Sequence, residues 1–261
     1  MTTPNILATS TSVHSAPRYS ILVAATPDEI AAAQRLRHLV FADEMGAHLH
    51  TTVPGLDVDE FDPYCDHLLV REDGSGEIVA SYRMLPPQPA AKIGRLYSDG
   101  EFELSAIGPL RDVIVETGRS CVHPDHRSGA VINLMWTGIA RYLHLHGYRW
   151  LAGCASVPAT DDVVSSVWEI VRTRHLSPPR LRVTPRIPYP LGPAPTTDRA
   201  TLLAAVPPLL RGYLRLGAWV CGEPAHDPDF GVADFFVLLS LDRVNPRYLK
   251  HFLGETTGGP A

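Results

Sequence analysis

Hydrophobic and polar positions change their period several times along the chain, and each change marks an element. Tyr19 to Ala24 is an apolar run of strand length, and Thr26-Pro27-Asp28-Glu29 then supplies a helix start: a capping Thr, Pro at the first helical position and Glu three residues after the cap. Ile30, Ala33, Leu36, Val40 and Phe41 recur at helical spacing up to about Glu44, with Arg37 beside the inward face. Gly46 to Pro63 has no clear period and carries Asp57, Asp59, Glu60 and Asp62, so it reads as an acidic loop. His67 to Arg71 and Ile78 to Leu85 are strand runs joined by the turn Glu72 to Gly76. Asp112 to Val122 alternates and is rich in Val, Ile and Thr, which predicts a central strand ended by His123-Pro124-Asp125. Val131 to His146 returns to helical spacing and Trp150 to Ser156 to strand, a β-α-β unit whose two strands lie side by side. Asp161 to His175 is an amphipathic helix, Pro207 to Gly217 a short one closed by glycine, and Phe235 to Leu241 a buried strand that completes the first sheet.

These elements predict one domain over residues 19–253. The Pro-rich segment 178–197 within it is extended or irregular, a tail rich in Thr, Ser and Pro precedes it as disordered residues 1–18, and a flexible tail follows at 254–261.

Composition narrows the function classes. Of 261 residues, 45% are hydrophobic and 20% charged, as in a globular protein, and a net charge of -5 gives no electrostatic case for nucleic acid. Apolar runs such as Leu202–Leu210 are too short for a membrane span, and the first residues lack a secretion signal, so a cytoplasmic protein is expected. Cys65, Cys121, Cys154 and Cys221 lie far apart without C-x-x-C spacing, which predicts free thiols; His123 and His126 have no third ligand beside them, so no metal is expected.

Arg37-His38-Leu39-Val40-Phe41, Asp59-Glu60-Phe61-Asp62, Ser81-Tyr82-Arg83-Met84-Leu85 and Val115-Glu116-Thr117-Gly118-Arg119 follow in the order and approximate spacing of the acyl-homoserine-lactone autoinducer synthases. Cys65 to Val70, Glu116 to Val122, Gly153-Cys154-Ala155-Ser156 and Pro208 to Gly217 make a closer likeness, over Tyr19 to Phe252: the chain resembles the ornithine-lipid N-acyltransferases, which acylate the α-amine of ornithine from 3-hydroxyacyl carrier protein. The autoinducer synthases typically carry a Trp soon after the first helix, where Glu44-Met45-Gly46-Ala47-His48 has none. The resemblance implies an α/β (α+β) acetyltransferase (GNAT-like) fold, a central mixed twisted sheet with splayed strands flanked by helices. It also implies a transferase of lipid metabolism moving a (3-hydroxy)fatty acyl group from thioester to amine.

It places catalytic roles on Glu116 and Arg119, substrate binding on Arg37, Phe41, Asp59, Asp62 and Arg83, and donor binding on Arg127, Ser128 and Gly129. Read alone, Glu116 suits a salt-bridged strand residue as well as a carboxylate that orients or deprotonates an amine, and Phe41 suits the core. Arg119 lies three residues beyond Glu116, so strand alternation puts it on the opposite face unless a bulge or splay intervenes. Arg127 to Ala130 departs from the glycine-rich pyrophosphate loop of acetyl-coenzyme A users, since Ala130 and Ile132 stand at its small positions. Acyl carrier protein is therefore the expected partner, and its acyl-phosphopantetheine, or alternatively acyl-CoA, the co-substrate; no cofactor is bound permanently. An amino acid acceptor and transient contact with a membrane surface complete the expectation. A coenzyme A-dependent N-acetyltransferase of a small amine and a non-catalytic protein of the same fold are the competing readings.

Overall fold

A computed structural model describes residues 5–10, 18–193 and 199–253. The elements in chain order are β1 (Asn5–Thr9), β2 (Tyr19–Val23), α1 (Pro27–His38), β3 (Asp66–Glu72), β4 (Ile78–Leu85), α2 (Pro87–Ile93), β5 (Phe102–Glu103), β6 (Ile114–Val122) and α3 (Gly129–His146). Then come β7 (Trp150–Pro158), α4 (Asp161–Arg174), β8 (Thr184–Pro185), α5 (Arg199–Ala205), α6 (Pro208–Arg215), β9 (Trp219–Val220), β10 (Ala225–Asp227), β11 (Val232–Ser240) and α7 (Pro246–Leu253). The chain divides into two compact units where the sequence predicts a single domain. One holds the described residues up to 85, 117–148 and those from 245; the other holds 86–116 and 149–244. The chain crosses between the units at 85/86, 116/117, 148/149 and 244/245, outside the Pro-rich segment 178–197.

In the first unit the strand order is β1-β2-β3-β4 and then residues 117–122 of β6. β2, β3 and β4 form antiparallel ladders. α1 starts as its sequence dictates, with the Thr26 hydroxyl accepting from the Glu29 N–H and Glu29 returning to the Thr26 N–H. Its Ala33 packs with Leu22 and Leu69, all 0% exposed, and burying each of those leucines contributes about 2 kcal/mol. Beyond His38 the helix widens into a π-helical turn, Leu39–Glu44. α3 lies on the opposite face from α1, because Ile21 and Leu22 alternate and a Cβ at Gly138 of α3 would meet Ile21 Cδ1 at 2.1 Å. The stretch Asn5–Thr9, which composition assigns to a disordered tail, forms β1 and pairs antiparallel with β2; that edge offers a row of backbone groups whatever the side chains are. Arg141 of α3 also donates to the Leu7 and Phe252 carbonyls.

In the second unit the order is β6-β7-β11-β10, with β9 on β11. Residues Ile114 to Glu116 pair parallel with Trp150 to Ala152, as the β-α-β reading requires. β7 and β11 pair antiparallel over nine residues, Trp150↔Ser240 to Pro158↔Val232, and β11 is buried throughout. The Pro-rich segment is ordered up to residue 193 within its described part: Val183 N–H donates to Cys221 C=O, Tyr189 N–H to Pro224 C=O, and His226 N–H to Ile187 C=O. All four cysteines are free thiols.

Candidate active site

Three constellations hold the residues singled out above, each inside one unit. The first lies under α1. Arg37, 0% exposed, reaches Asp57 Oδ2 at 2.9 Å and donates to Asp62 Oδ2 at 2.8 Å. Arg83 contacts Asp62 Oδ1 at 3.0 Å and Asp59 Oδ1 at 2.6 Å. Arg119 contacts Asp59 Oδ2 at 3.5 Å and Asp57 Oδ2 at 3.1 Å. Three arginines and three aspartates thus alternate in a closed ring, each cation touching two anions. Gln34 donates to Asp62 at 3.0 Å, and the Arg83 guanidinium sits 5.7 Å over the Phe61 ring.

The acidic loop provides this geometry through short-range bonds. Asp59 Oδ1 accepts from the Phe61 and Asp62 N–H groups, and Asp62 Oδ2 from the Asp59 N–H, so the two carboxylates cap their own turn. Burial works against the Asp62 anion, yet Arg37 and Arg83 outweigh it and hold the carboxyl well below the usual range. Burial also opposes the Arg83 cation, and Asp59 more than compensates. His67 of β3 is kept neutral by burial and by Arg37, so its Nε2–H donates to the Asp62 carbonyl at 3.3 Å.

Arg119 belongs to this ring and Glu116 to the constellation described next, so the two residues expected to share a catalytic role have different partners. Arg119 is the non-glycine residue of positive φ among those described, at 51°, a left-handed backbone that breaks the strand period and aims the guanidinium at Asp57 and Asp59. Asp57 is a residue that sequence reasoning left inside a solvated loop; it is 3% exposed and bridges two arginines. Phe41 is buried at the π-helical turn, as its spacing suggests.

The second constellation surrounds Glu116, which is 3% exposed. The Tyr97 N–H donates to Oε2 at 2.6 Å, while the Ser98 N–H and hydroxyl donate to Oε1 at 2.9 and 2.6 Å. Ser98 Oγ also lies 3.2 Å from Cys154 Sγ on β7. Beside it Glu101, Asp227 and Asp234 bring carboxylate oxygens within 4.8 Å of one another. Asp234 accepts from the Ser156 hydroxyl at 2.7 Å, and burial, then the Asp234 charge, push the Glu101 carboxyl up to about 9. Burial likewise raises the Cys154 thiol, so it stays protonated. The sequence identified Glu116 and the Cys154 motif, but neither Ser98 nor the Glu101–Asp234 pair, whose members are brought together by the fold alone.

The third constellation is the turn after β6. Arg127 forms a bidentate pair with Glu44 at 2.7 and 2.5 Å and donates through Nε to the Val122 carbonyl at 3.3 Å. Ser128 precedes α3 in extended conformation without a side-chain capping bond, and Gly129 and Ala130 at the start of the helix are exposed, while Val131 is buried and the Ile132 N–H donates to the Ser128 carbonyl. Such an end suits a phosphate.

Residues 36–137 match the family model described as the acetyltransferase (GNAT) domain. The chain is 36% identical over 255 residues to a Rhodobacter capsulatus protein named L-ornithine N(alpha)-acyltransferase, covering 92% of this chain and 96% of that one. A Brucella abortus protein of the same name is 34% identical over 87% of this chain and 85% of its own length. Among solved structures, the CoA-dependent acyl-homoserine lactone synthase BjaI, with SAM and isopentyl-CoA, superposes with a TM-score of 0.52 at 14% identity, covering 90% of this chain and 89% of that one. A likeness at that identity shows the fold, a mixed sheet flanked by helices.

Proposed function

We infer the reaction from one premise: this chain belongs to the L-ornithine N(alpha)-acyltransferase family and is an acyltransferase of the acetyltransferase fold. On our reading it moves a (3-hydroxy)fatty acyl group from the phosphopantetheine thioester of acyl carrier protein to the α-amine of ornithine, giving a lyso-aminolipid. The amine nitrogen attacks the thioester carbonyl, the C–N bond forms, the C–S bond breaks, and the thiolate leaves and takes up a proton.

An α-amine titrates near 7.7–8.0 and a lysine-type side-chain amine near 10.4, so near neutral pH the α-amine loses its proton far more readily. Glu116 is the residue we assign to it. Its carboxylate oxygens are already engaged by three donors, so its role on this reading is to orient the amine while water takes the proton. The Asp–Arg ring gives substrate-facing residues a rigid footing, while Asp59 and Asp62 are neutralised by Arg37, Arg83 and Arg119 and have little charge left for an incoming ammonium. Acceptor capture by those two aspartates is accordingly not part of the reading. The carrier donor is supported by the Arg127 to Ala130 turn, which departs from a coenzyme A loop and leaves one exposed helix end suited to a single phosphate.

The observation that carries the acceptor is the 36% identity over 92% of the chain. The test is a purified-enzyme assay with ornithine and a matched 3-hydroxyacyl group on carrier protein or on CoA, read by mass spectrometry and thiol release. N-acylornithine formed at least tenfold faster from carrier protein is expected. Equal use of acyl-CoA removes the carrier assignment, and acylation of other amines in preference to ornithine removes the acceptor.

A further inference from the structure

The turn that grips Glu116 is itself fixed from the other side. Tyr97–Gly100 is a short 3-10 segment whose Asp99 accepts from the Leu96 N–H at 2.8 Å and pairs with Arg111, with Arg111 Nη1 2.8 Å from Asp99 Oδ2. Arg186 donates to the Asp99 carbonyl at 2.7 Å. The two N–H groups at the start of the turn are therefore placed before they meet Glu116. Ser98 is 0% exposed and supplies two of the three donors.

The hydroxyl proton has a definite direction. Its 2.6 Å separation from Glu116 Oε1 is the length of a charge-assisted bond, against 3.2 Å to sulfur. The serine proton accordingly lies toward the carboxylate, while Cys154 Sγ has both Ser98 Oγ and Glu101 as partners. Of the three donors on the carboxylate, the hydroxyl is the one that a substitution can remove without altering the backbone.

We propose that Ser98 is a positioning residue for the acyl transfer: its buried hydroxyl fixes the Glu116 carboxylate in the orientation that handles the acceptor amine. The inference rests on the role assigned to Glu116 above. A carboxylate that loses the hydroxyl donor is held less firmly against rotation about its terminal bond, so the loss belongs to the chemical step rather than to thioester binding.

A double-mutant cycle in the full-length enzyme tests this. Ser98→Ala is expected to lower kcat roughly tenfold, the scale of one hydrogen bond to a charged group, with the KM for the acyl donor little changed and the melting temperature lowered by a few degrees. Ser98→Thr, which keeps the hydroxyl, should recover most of the rate; if the added methyl prevents folding, the cycle alone decides. In a Glu116→Gln background the further change Ser98→Ala should cost at most about twofold, because interacting residues are not additive. Equal tenfold costs in both backgrounds overturn the positioning role while leaving Glu116 in place. A Glu116→Gln enzyme of normal rate overturns the reading of Glu116 and the inference with it.

Discussion

At the residue scale, the ring under α1 shows how charges can be buried without being available. A buried ion pair adds little net stability compared with apolar packing, but removing one member leaves its partner uncompensated, at about 3–5 kcal/mol. Asp57 is the sharpest test, since it serves Arg37 and Arg119 at once. Asp57→Asn should lower the melting temperature by well over 5 °C and reduce turnover, because the left-handed conformation of Arg119 loses an anchor. Calorimetry and steady-state rates check it; a variant within 2 °C of the parent would show that Asp59 alone holds Arg119. The order Arg37, Asp59, Asp62, Arg83, Glu116, Arg119 was legible in the sequence. Asp57 was not, because a carboxylate in an aperiodic loop is ordinarily solvated and only the packed helix above it makes it buried.

Among the elements, periodicity found most of the longer ones, but the helices α5 and α7, seven and eight residues long, were not read from the sequence. β2, α1, β3, β4, β6, α3, β7, α4, α6 and β11 all appear close to their expected positions. β5, β8, β9 and β10 have two or three residues each, too few for alternation to register, and their pairing depends on partners distant in sequence. α2 was hidden by the prolines at its start, and β1 by the Thr-, Ser- and Pro-rich residues around it. The Pro-rich segment was legible as extended but not as anchored. Gly222 is part of what anchors it: φ is 147° and a Cβ there would lie 2.5 Å from the Val183 carbonyl oxygen. Both the backbone conformation and the close approach exclude a side chain. Gly222→Ala should therefore loosen the Val183–Cys221 contact and destabilise by roughly 2 kcal/mol or more, with faster proteolysis near residues 183–190. Unchanged proteolysis and melting would mean that the segment is held elsewhere, for instance at Tyr189 and His226.

For the whole molecule, two sets of buried acids act on stability in opposite directions as pH changes. The Asp62 carboxyl is depressed below its unfolded value near 3.8, so its contribution is present above that value and is lost as pH falls below it. Glu101 behaves in the opposite sense. Half-buried against Asp234, with Asp227 and the Cys154 thiol also facing it, it retains a proton up to about pH 9 in the folded chain but loses it near 4.5 when unfolded. Between those limits the folded state binds the extra proton, so stability falls as pH rises across the window. Glu101→Gln replaces the protonated carboxyl with a neutral amide of the same shape and abolishes that release. The variant should match the parent near pH 5 and become progressively more stable relative to it toward pH 8.5, by several degrees in melting temperature. Melting curves taken at half-unit intervals decide the matter. Parallel profiles for the two proteins would show that Glu101 is already ionised in the fold, and a variant that loses ground as pH rises would mean that the carboxylate form is the one the Asp234 cluster stabilises.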